Sequence, residues 1–438
     1  MTIKFGTDGI RGPVESEITP EVCLRIGHAA GVVLKEMGWE TVLIGKDTRV
    51  SGYMLESALQ AGFIAAGVNV RLLGPLPTPG VAYLTRSLRN QFGLVISASH
   101  NDYLDNGIKL FAGTGEKISK DAEKKIEKLL EGDLKPVQTA ELGKARRFDE
   151  SGDRYIEFCK STVPADVSFE SLRIVLDCAN GACYKVSPSI LRELGAEVIS
   201  IGTEPDGYNI NQKCGSTYPE RAKEEVIKQR ADFGIALDGD GDRVVLIDRK
   251  GNILDGDDIM YILAYANPNR TGQWSGIVGT AMTNLGFEEA VKKLGYKFKR
   301  ADVGDKYVSQ MLQKKGWMLG GEPSGHIICR DLVSTGDGTI AALKVISSLL
   351  ILEKDPEDIL RNYTKMPQIN INVEVKNKDV LSDSDIQKKI KEIESDLTVG
   401  RVLVRPSGTE SKIRVMVESD DEITATKYAK DIATMFKK

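Results

Sequence analysis

The chain has 438 residues, 41% of them hydrophobic and 28% charged, enough apolar material for roughly three or four domains of ~100–200 residues each. Its formal net charge of −4 gives nucleic acid no electrostatic footprint, so an anionic substrate must be met by local arginines and lysines. No apolar run reaches the ~18 residues that span a membrane, and MTIKFGTDGIRG lacks a signal-peptide pattern, so a cytoplasmic protein with no membrane partner is expected. Six cysteines (Cys23, Cys159, Cys178, Cys183, Cys214, Cys329) form no CxxC pair. With three histidines in all, a Cys/His metal site is not expected, and the cysteines read as reduced, buried thiols.

In chain order, the first distinctive stretch is FGTDGIRG at 5–12. Its glycine pairs predict a loop on which Arg11 serves as a phosphate fork. A pattern then recurs three times, in TVLIGKDTRVSG (41–52), LRIVLDCANGA (172–182) and SGIVGTAMTN (275–284). Each is a short apolar strand ending in a small-polar loop. A helical stretch closing on glycine follows (Gly67, Gly195, Gly295), then a second strand ending in glycine (Gly74, Gly202, Gly304). Three βαβ-like units predict three successive α/β domains of related fold. His28, in the helical run IGHAAGVVLKE, reads as structural.

Inside the first unit, GLVISASHNDYLDNGIKLF (93–111) carries an apolar strand into residues that cannot continue it, and Asn106-Gly107 turns the chain. Ser99 at the mouth of that loop, with His100 beside it and Lys109 downstream, is placed as a nucleophile. A Lys/Glu-rich helix is expected at 119–131. The polar stretch 148–155, the turn 249–252 and residues 363–367 suggest boundaries giving units 1–152, 153–250, 251–364 and 365–438. The last alternates apolar and polar residues before a closing helix, a small α+β domain.

The second unit contains ADFGIALDGDGDRVVLIDRKG. Asp238, Asp240 and Asp242 alternate with glycines directly after an apolar strand, so three carboxylates converge and require a cation. Hard oxygen ligands suit Mg²⁺ or Ca²⁺. An EF-hand would need glycine sixth and glutamate twelfth, where Arg243 and Arg249 stand, so magnesium is favoured. In the third unit, GGEPSGHIICRDLVSTGDG (320–338) offers Glu322 and Ser324 to vicinal hydroxyls, and His326 as a general base. Finally, RPSGTESKIRVM (405–416) sets Arg405 and Arg414 around Ser407, Gly408 and Thr409, a cradle for one small anion. There is no GxxxxGK[ST], so a nucleoside triphosphate is not implied.

FGTDGIRG, SASHN, DGDGDR, GEPSGH and RPSGTE, in this order and covering essentially the whole chain, resemble the α-D-phosphohexomutase superfamily. Longer stretches such as ISASHNDYLDNGIKLF and DGYNINQKCGSTYPE resemble its bacterial phosphoglucosamine mutase branch in particular. The resemblance implies four domains around a central cleft, the fourth a mobile lid. It implies a phosphoserine at Ser99, whose phosphate joins the three aspartates around one Mg²⁺, and a sugar 1,6-bisphosphate as activator. By the same resemblance Glu322 and Ser324 bind sugar hydroxyls, and Arg405, Ser407, Gly408, Thr409 and Arg414 hold the non-reacting phosphate. Arg11, Lys109 and His326 serve the reacting end, and Arg243 neutralises the phosphoserine. The expected substrate is a hexosamine monophosphate, converted between 6- and 1-phosphate on the route to UDP-N-acetylglucosamine, with glucose or mannose phosphate as the alternative. A homodimer is left open. A serine hydrolase is disfavoured because Ser99 lacks a GxSxG elbow, and a non-catalytic binder because the nucleophile and aspartates are all present.

Overall fold

The computed structural model describes residues 3–6, 8–89, 91–407 and 411–436. Three mixed α/β sheets follow one another, succeeded by a smaller antiparallel sheet with helices. The first has six strands, in the spatial order Ile10–Pro13, Asp105–Phe111, Gln91–Ile96, Thr41–Lys46, Asn69–Pro75, Ala145–Arg147. Its middle strands are parallel and its Ile10 edge is antiparallel. The second has five strands and pairs Arg173–Asp177 in parallel with both Glu197–Ile201 and Phe233–Leu237. The third has four, built around Gly276–Thr280 and Leu319–Gly321.

All six residues of Gln91–Ile96 and all five of Phe233–Leu237 are buried. That is why these strands read as continuous apolar runs: helices cover both faces of a parallel sheet. Each helix predicted between paired strands is present, at Ser51–Ala65, Val186–Glu193 and Leu285–Lys293. An apolar core runs through the first three units, from Leu43 and Val95 through Ile174 and Leu237 to Ile277 and Ile346. The last unit has its own core of Ile413, Val415, Val417 and Ile432. Ser99, Asp238 and Glu322 all follow the carboxyl end of a sheet strand, where α/β folds place their ligands.

Two local expectations differ from the structure. Residues 10–13 form an edge strand, with Arg11 opposite Gly107; the pairing partner lies about a hundred residues away, outside any sequence window. The last unit also contains a helix at Ser384–Asp396, in which only Ile390 is buried. So thin an apolar stripe left little periodicity to read, although Asp383 caps it by accepting the Asp385 and Ile386 N–H groups. All six cysteines are free and buried. No helix among the described residues is long and apolar enough to cross a membrane.

Candidate active site

Ser99 adopts φ +53°, a left-handed backbone that non-glycine residues enter only when their surroundings impose it. Its N–H donates to Ser97 Oγ at 2.9 Å and its hydroxyl donates to Asp238 Oδ2 at 2.6 Å. His100 Nδ1 lies 3.4 Å from the same hydroxyl oxygen. Burial, then the guanidiniums of Arg243 and Arg11, lower the His100 pKa to about 3, so the ring beside the serine is neutral.

Asp238, Asp240 and Asp242 are buried, and each offers an oxygen within 4.8 Å of the others. Burial, then Asp242 and Asp240, push the Asp238 pKa well above the carboxylate range. Burial acts the same way on Asp242, but Lys109 and His326 outweigh it and hold that group well below its usual value. The Lys109 ammonium sits 2.7 Å from Asp240 Oδ2, 3.2 Å from Asp242 Oδ2 and 3.1 Å from Asp8 Oδ2. Asp240 Oδ1 and Asp242 Oδ1 are buried with no hydrogen-bond partner. Orphaned carboxylate oxygens at this depth are costly unless a cation takes them, so the donor set fits a hard divalent ion. Thr78, from the first unit, fixes this loop by donating its N–H to Asp240 O at 2.9 Å and its hydroxyl to Asp240 Oδ2 at 2.6 Å.

Arg11 pairs with Asp8, and Asp8 pairs in turn with Lys117, whose ammonium also lies 2.5 Å from Asp305 Oδ2. This ionic chain joins the first unit to the third. The edge strand carrying Arg11 runs close over its neighbour, and a Cβ at Gly9 would stand 2.2 Å from Ile108 O. Burial would lower the His326 pKa, but Asp242, then Asp305 and Glu322, bring it up to about 9. The Gly336 N–H nevertheless donates to His326 Nε2 at 3.1 Å. His326 Nδ1 faces Asp242 Oδ1, 3.6 Å away.

Glu322 is buried, and burial raises its pKa; Oε1 accepts the Gly304 N–H at 3.0 Å. Ser324 is exposed in the same loop. The Arg243 backbone N–H donates to Asp238 Oδ1 at 3.1 Å, and its guanidinium lies in the field of Asp242, Asp238 and Glu322. In the last sheet Arg405 stands directly opposite Arg414. Like charges facing across two strands repel; burial and then Arg414 lower the Arg405 pKa. Such a pair favours an anion between its members. Ser407, next to it, is buried, and its carbonyl accepts the Lys378 ammonium at 2.7 Å. Gly408 and Thr409 lie outside the described residues.

Four family models match in order: phosphoglucomutase/phosphomannomutase alpha/beta/alpha domains I (residues 2–136), II (153–251) and III (255–366), and the C-terminal domain (370–435). The chain belongs to the phosphoglucomutase/phosphomannomutase family. Within that family it is 52% identical to a phosphoglucosamine mutase of Cellvibrio japonicus over 99% of each chain. It is also 52% identical to one of Aeromonas hydrophila over 98% of this chain and 97% of the relative. In fold it is similar to a phosphoglucomutase/phosphomannomutase family protein of Burkholderia thailandensis, with a TM-score of 0.81, 22% identity and coverage of 98% and 96%. It is similar too to an N-acetylphosphoglucosamine mutase of Aspergillus fumigatus, solved with GlcNAc-6P and magnesium, with a TM-score of 0.72, 19% identity and coverage of 99% and 95%. The resemblance drawn from the five motifs therefore holds, and so does the expected α/β architecture.

The phosphoglucomutase/phosphomannomutase fold brings Ser99, His100, Lys109, Arg11, the three aspartates, Arg243 and His326 into one cluster, with Glu322 at its border. Sequence reading did not single out Asp8, Thr78, Lys117 or Asp305, all of which touch that cluster. Asp8 lay within a quoted motif, two positions after a glycine. The other three carry no local signature, because their significance comes from contacts more than a hundred residues away in the chain.

Proposed function

We propose that this chain interconverts glucosamine 6-phosphate and glucosamine 1-phosphate through a phosphoserine at residue 99 and a 1,6-bisphosphate that reorients in the cleft. Its work is divided among units 1–152, 153–250, 251–364 and 365–438. The observation that carries the reading is the Ser99 hydroxyl, held 2.6 Å from Asp238 at the edge of a buried three-carboxylate cluster, in a full-length relative of phosphoglucosamine mutases. Asp238, Asp240, Asp242 and the Ser99 phosphate are assigned to one Mg²⁺, which when bound supplies Lewis-acid neutralisation of phosphoryl charge.

In the forward half-reaction the Ser99 Oγ–P bond breaks as a bond forms from phosphorus to the free sugar hydroxyl, and in net that hydroxyl's proton replaces the phosphoryl group on Ser99 Oγ. After the bisphosphate turns end for end, its other P–O bond breaks as that phosphoryl group passes to Ser99 Oγ, which gives up its proton while the sugar oxygen takes one up. Positioning and charge stabilisation carry nearly all the rate in such transfers. Lys109 is a buried ammonium whose pKa stays well above its usual value: burial opposes this, but Asp240, Asp242 and Asp8 prevail. With Arg11 it therefore offsets phosphoryl charge and does not accept the proton. Proton transfer falls to His326, at the expense of its Gly336 hydrogen bond. Neutral His100 flanks the serine without adding charge, and Arg243 faces the phosphoserine. Glu322 and Ser324 take sugar hydroxyls. Arg405, Ser407, Gly408, Thr409 and Arg414 hold whichever phosphate is not reacting.

The test is phosphorus NMR of the full chain with Mg²⁺ and a trace of sugar bisphosphate, offered glucosamine, glucose and mannose 6-phosphates separately. Fastest conversion of the glucosamine compound is expected, with Ser99→Ala inactive. Faster turnover of glucose or mannose phosphate would overturn the substrate, and an active S99A would overturn the mechanism.

A further inference from the structure

The Ser99 loop is gripped from two domains by groups that touch no reacting atom. Arg49 follows strand Thr41–Lys46 and is 0% exposed. Its Nε donates to Asp47 Oδ2 at 2.8 Å. Nη1 donates to the carbonyls of Asp102 and Asp105, the latter at 3.1 Å. Nη2 donates to Ser99 O at 3.1 Å and Asn101 O at 2.9 Å. Asn211, from the second unit, duplicates that last pair: its Nδ2 donates to Ser99 O at 2.9 Å and Asn101 O at 3.1 Å. Two carbonyls thus receive four hydrogen bonds, half from each domain. The other side of Ser99 is tied to the same arginine, because Ser97 Oγ, which accepts the Ser99 N–H, donates to Asp47 Oδ2 at 2.7 Å.

Backbone strain gathers at the same place. Of the seven non-glycine residues with positive φ among those described, five are Ser99, Ala179, Asn180, Asn211 and Lys213. The Asn211 N–H donates to Ala179 O at 2.9 Å, and the Thr48 hydroxyl of the first unit donates to Asn180 O at 2.5 Å. At Gly239, inside the aspartate loop, a Cβ would lie 2.6 Å from Ser99 O and 2.8 Å from Asn211 Nδ2. Left-handed residues persist only where neighbours over-determine them, and such strain concentrates where a reacting group must be aimed.

We infer that Arg49 and Asn211 are positioning residues that clamp the Ser99 carbonyl from opposite sides of the first domain interface and so hold the serine in its left-handed backbone, with Oγ aimed at Asp238. The clamp couples nucleophile geometry to the docking of the second unit on the first. It also gives DGYNINQKCGSTYPE, which surrounds Asn211, a task that neither substrate nor metal binding supplies. The inference rests on Ser99 carrying the phosphoryl group.

The experiment compares wild type with Asn211→Ala in the full chain. It follows kcat, KM, Mg²⁺ affinity and the phosphorus resonance of phosphoserine after reaction with sugar bisphosphate. A displacement of the nucleophile of order 1 Å costs about 10²-fold in rate, so kcat is expected to fall about 10- to 100-fold. KM and Mg²⁺ affinity should stay within about twofold, and the phosphoserine resonance should move or broaden. Should N211A fail to fold, Asn211→Asp keeps the size, removes both donors and is expected to show the same pattern. Unchanged kcat with an unmoved resonance overturns the clamp, and so does a parallel loss of kcat, Mg²⁺ affinity and thermal stability. A wild-type chain that acquires no phosphoserine sinks the phosphoryl-carrier reading and the clamp together; one that does, beside an N211A variant equal to it, sinks the clamp alone.

Discussion

The Glu418 carboxylate of the last sheet accepts the backbone N–H of Leu285, in the third unit, at 2.7 Å. It also holds Arg401 Nε at 2.5 Å, and Arg401 reaches on to the carbonyls of Ala281 and Thr283 at 2.5 and 2.7 Å. Glu418 and Arg401 face each other at the base of the hairpin that carries Arg405 and Arg414, about 13 Å further along at the strand rise. Glu418 is fully buried.

Glu418→Ala leaves Arg401 short of its carboxylate and the Leu285 N–H without a partner. Breaking one side of a buried pair costs about 3 kcal/mol, to be measured by urea denaturation. KM for the sugar phosphate should rise as the loop proposed to hold phosphate loses its anchor. A loss below about 1 kcal/mol, of the size of exposed pairs, would mean that water already serves both groups.

Turnover should vanish on chelation and return with Mg²⁺ better than with Ca²⁺, because a small octahedral ion suits three converging carboxylates. Asp242→Asn removes one anionic donor and should weaken Mg²⁺ binding about 10-fold or more, a change calorimetry would resolve. Full activity in excess chelator would exclude the metal role.

Lys109→Ala separates catalysis from metal binding. The ammonium lies among Asp240, Asp242 and Asp8, so its loss leaves the acidic cluster more negative. Mg²⁺ should bind as tightly as in wild type or more so, while kcat falls about 10²-fold or more through lost phosphoryl stabilisation. A matched fall in both would show that Lys109 serves the metal site alone.

Asp337 predicts a pH effect away from the chemistry. It caps helix Gly338–Leu352 by accepting the Ile340 N–H at 2.9 Å and accepts the Tyr155 hydroxyl at 2.9 Å. Burial is the main cause that raises its pKa to about 6, from 3.8. The folded protein thus holds this proton more tightly than the unfolded chain. The stabilisation is fully present below about pH 4 and is lost as pH rises through 6. Asp337→Asn, permanently neutral, should therefore gain on wild type by about 2–3 kcal/mol between pH 4 and pH 8, at 1.36 kcal/mol per pKa unit. Denaturation at both pH values would detect it, and a stability difference independent of pH would refute it.

Local chemistry made most of the architecture and many site residues legible. The βαβ units announced themselves because strands buried on both faces are apolar runs and glycines stop the helices between them. The aspartate triplet was legible because its members are two residues apart, so one loop suffices to converge them. The opposed pair Arg405 and Arg414 was legible as a hairpin bracket, whose register the structure supplies.

What the sequence by itself determined, then, is the identity of most elements and the chemistry of most loops, since these depend on neighbours within about a dozen residues; the edge strand Ile10–Pro13 and the helix Ser384–Asp396 are the exceptions. Tertiary structure alone decided what meets across the interfaces. Lys117 joins Asp8 to Asp305, Thr78 seats Asp240, and Arg49 with Asn211 grips Ser99. It also decided charge states: the same residue type is a neutral ring pushed down to about 3 at His100 and drawn up to about 9 at His326. The physical reason is that desolvation and Coulomb energy depend on distance in space, and the leading partners here, Asp242 for His326 and Arg243 for His100, lie far away along the chain.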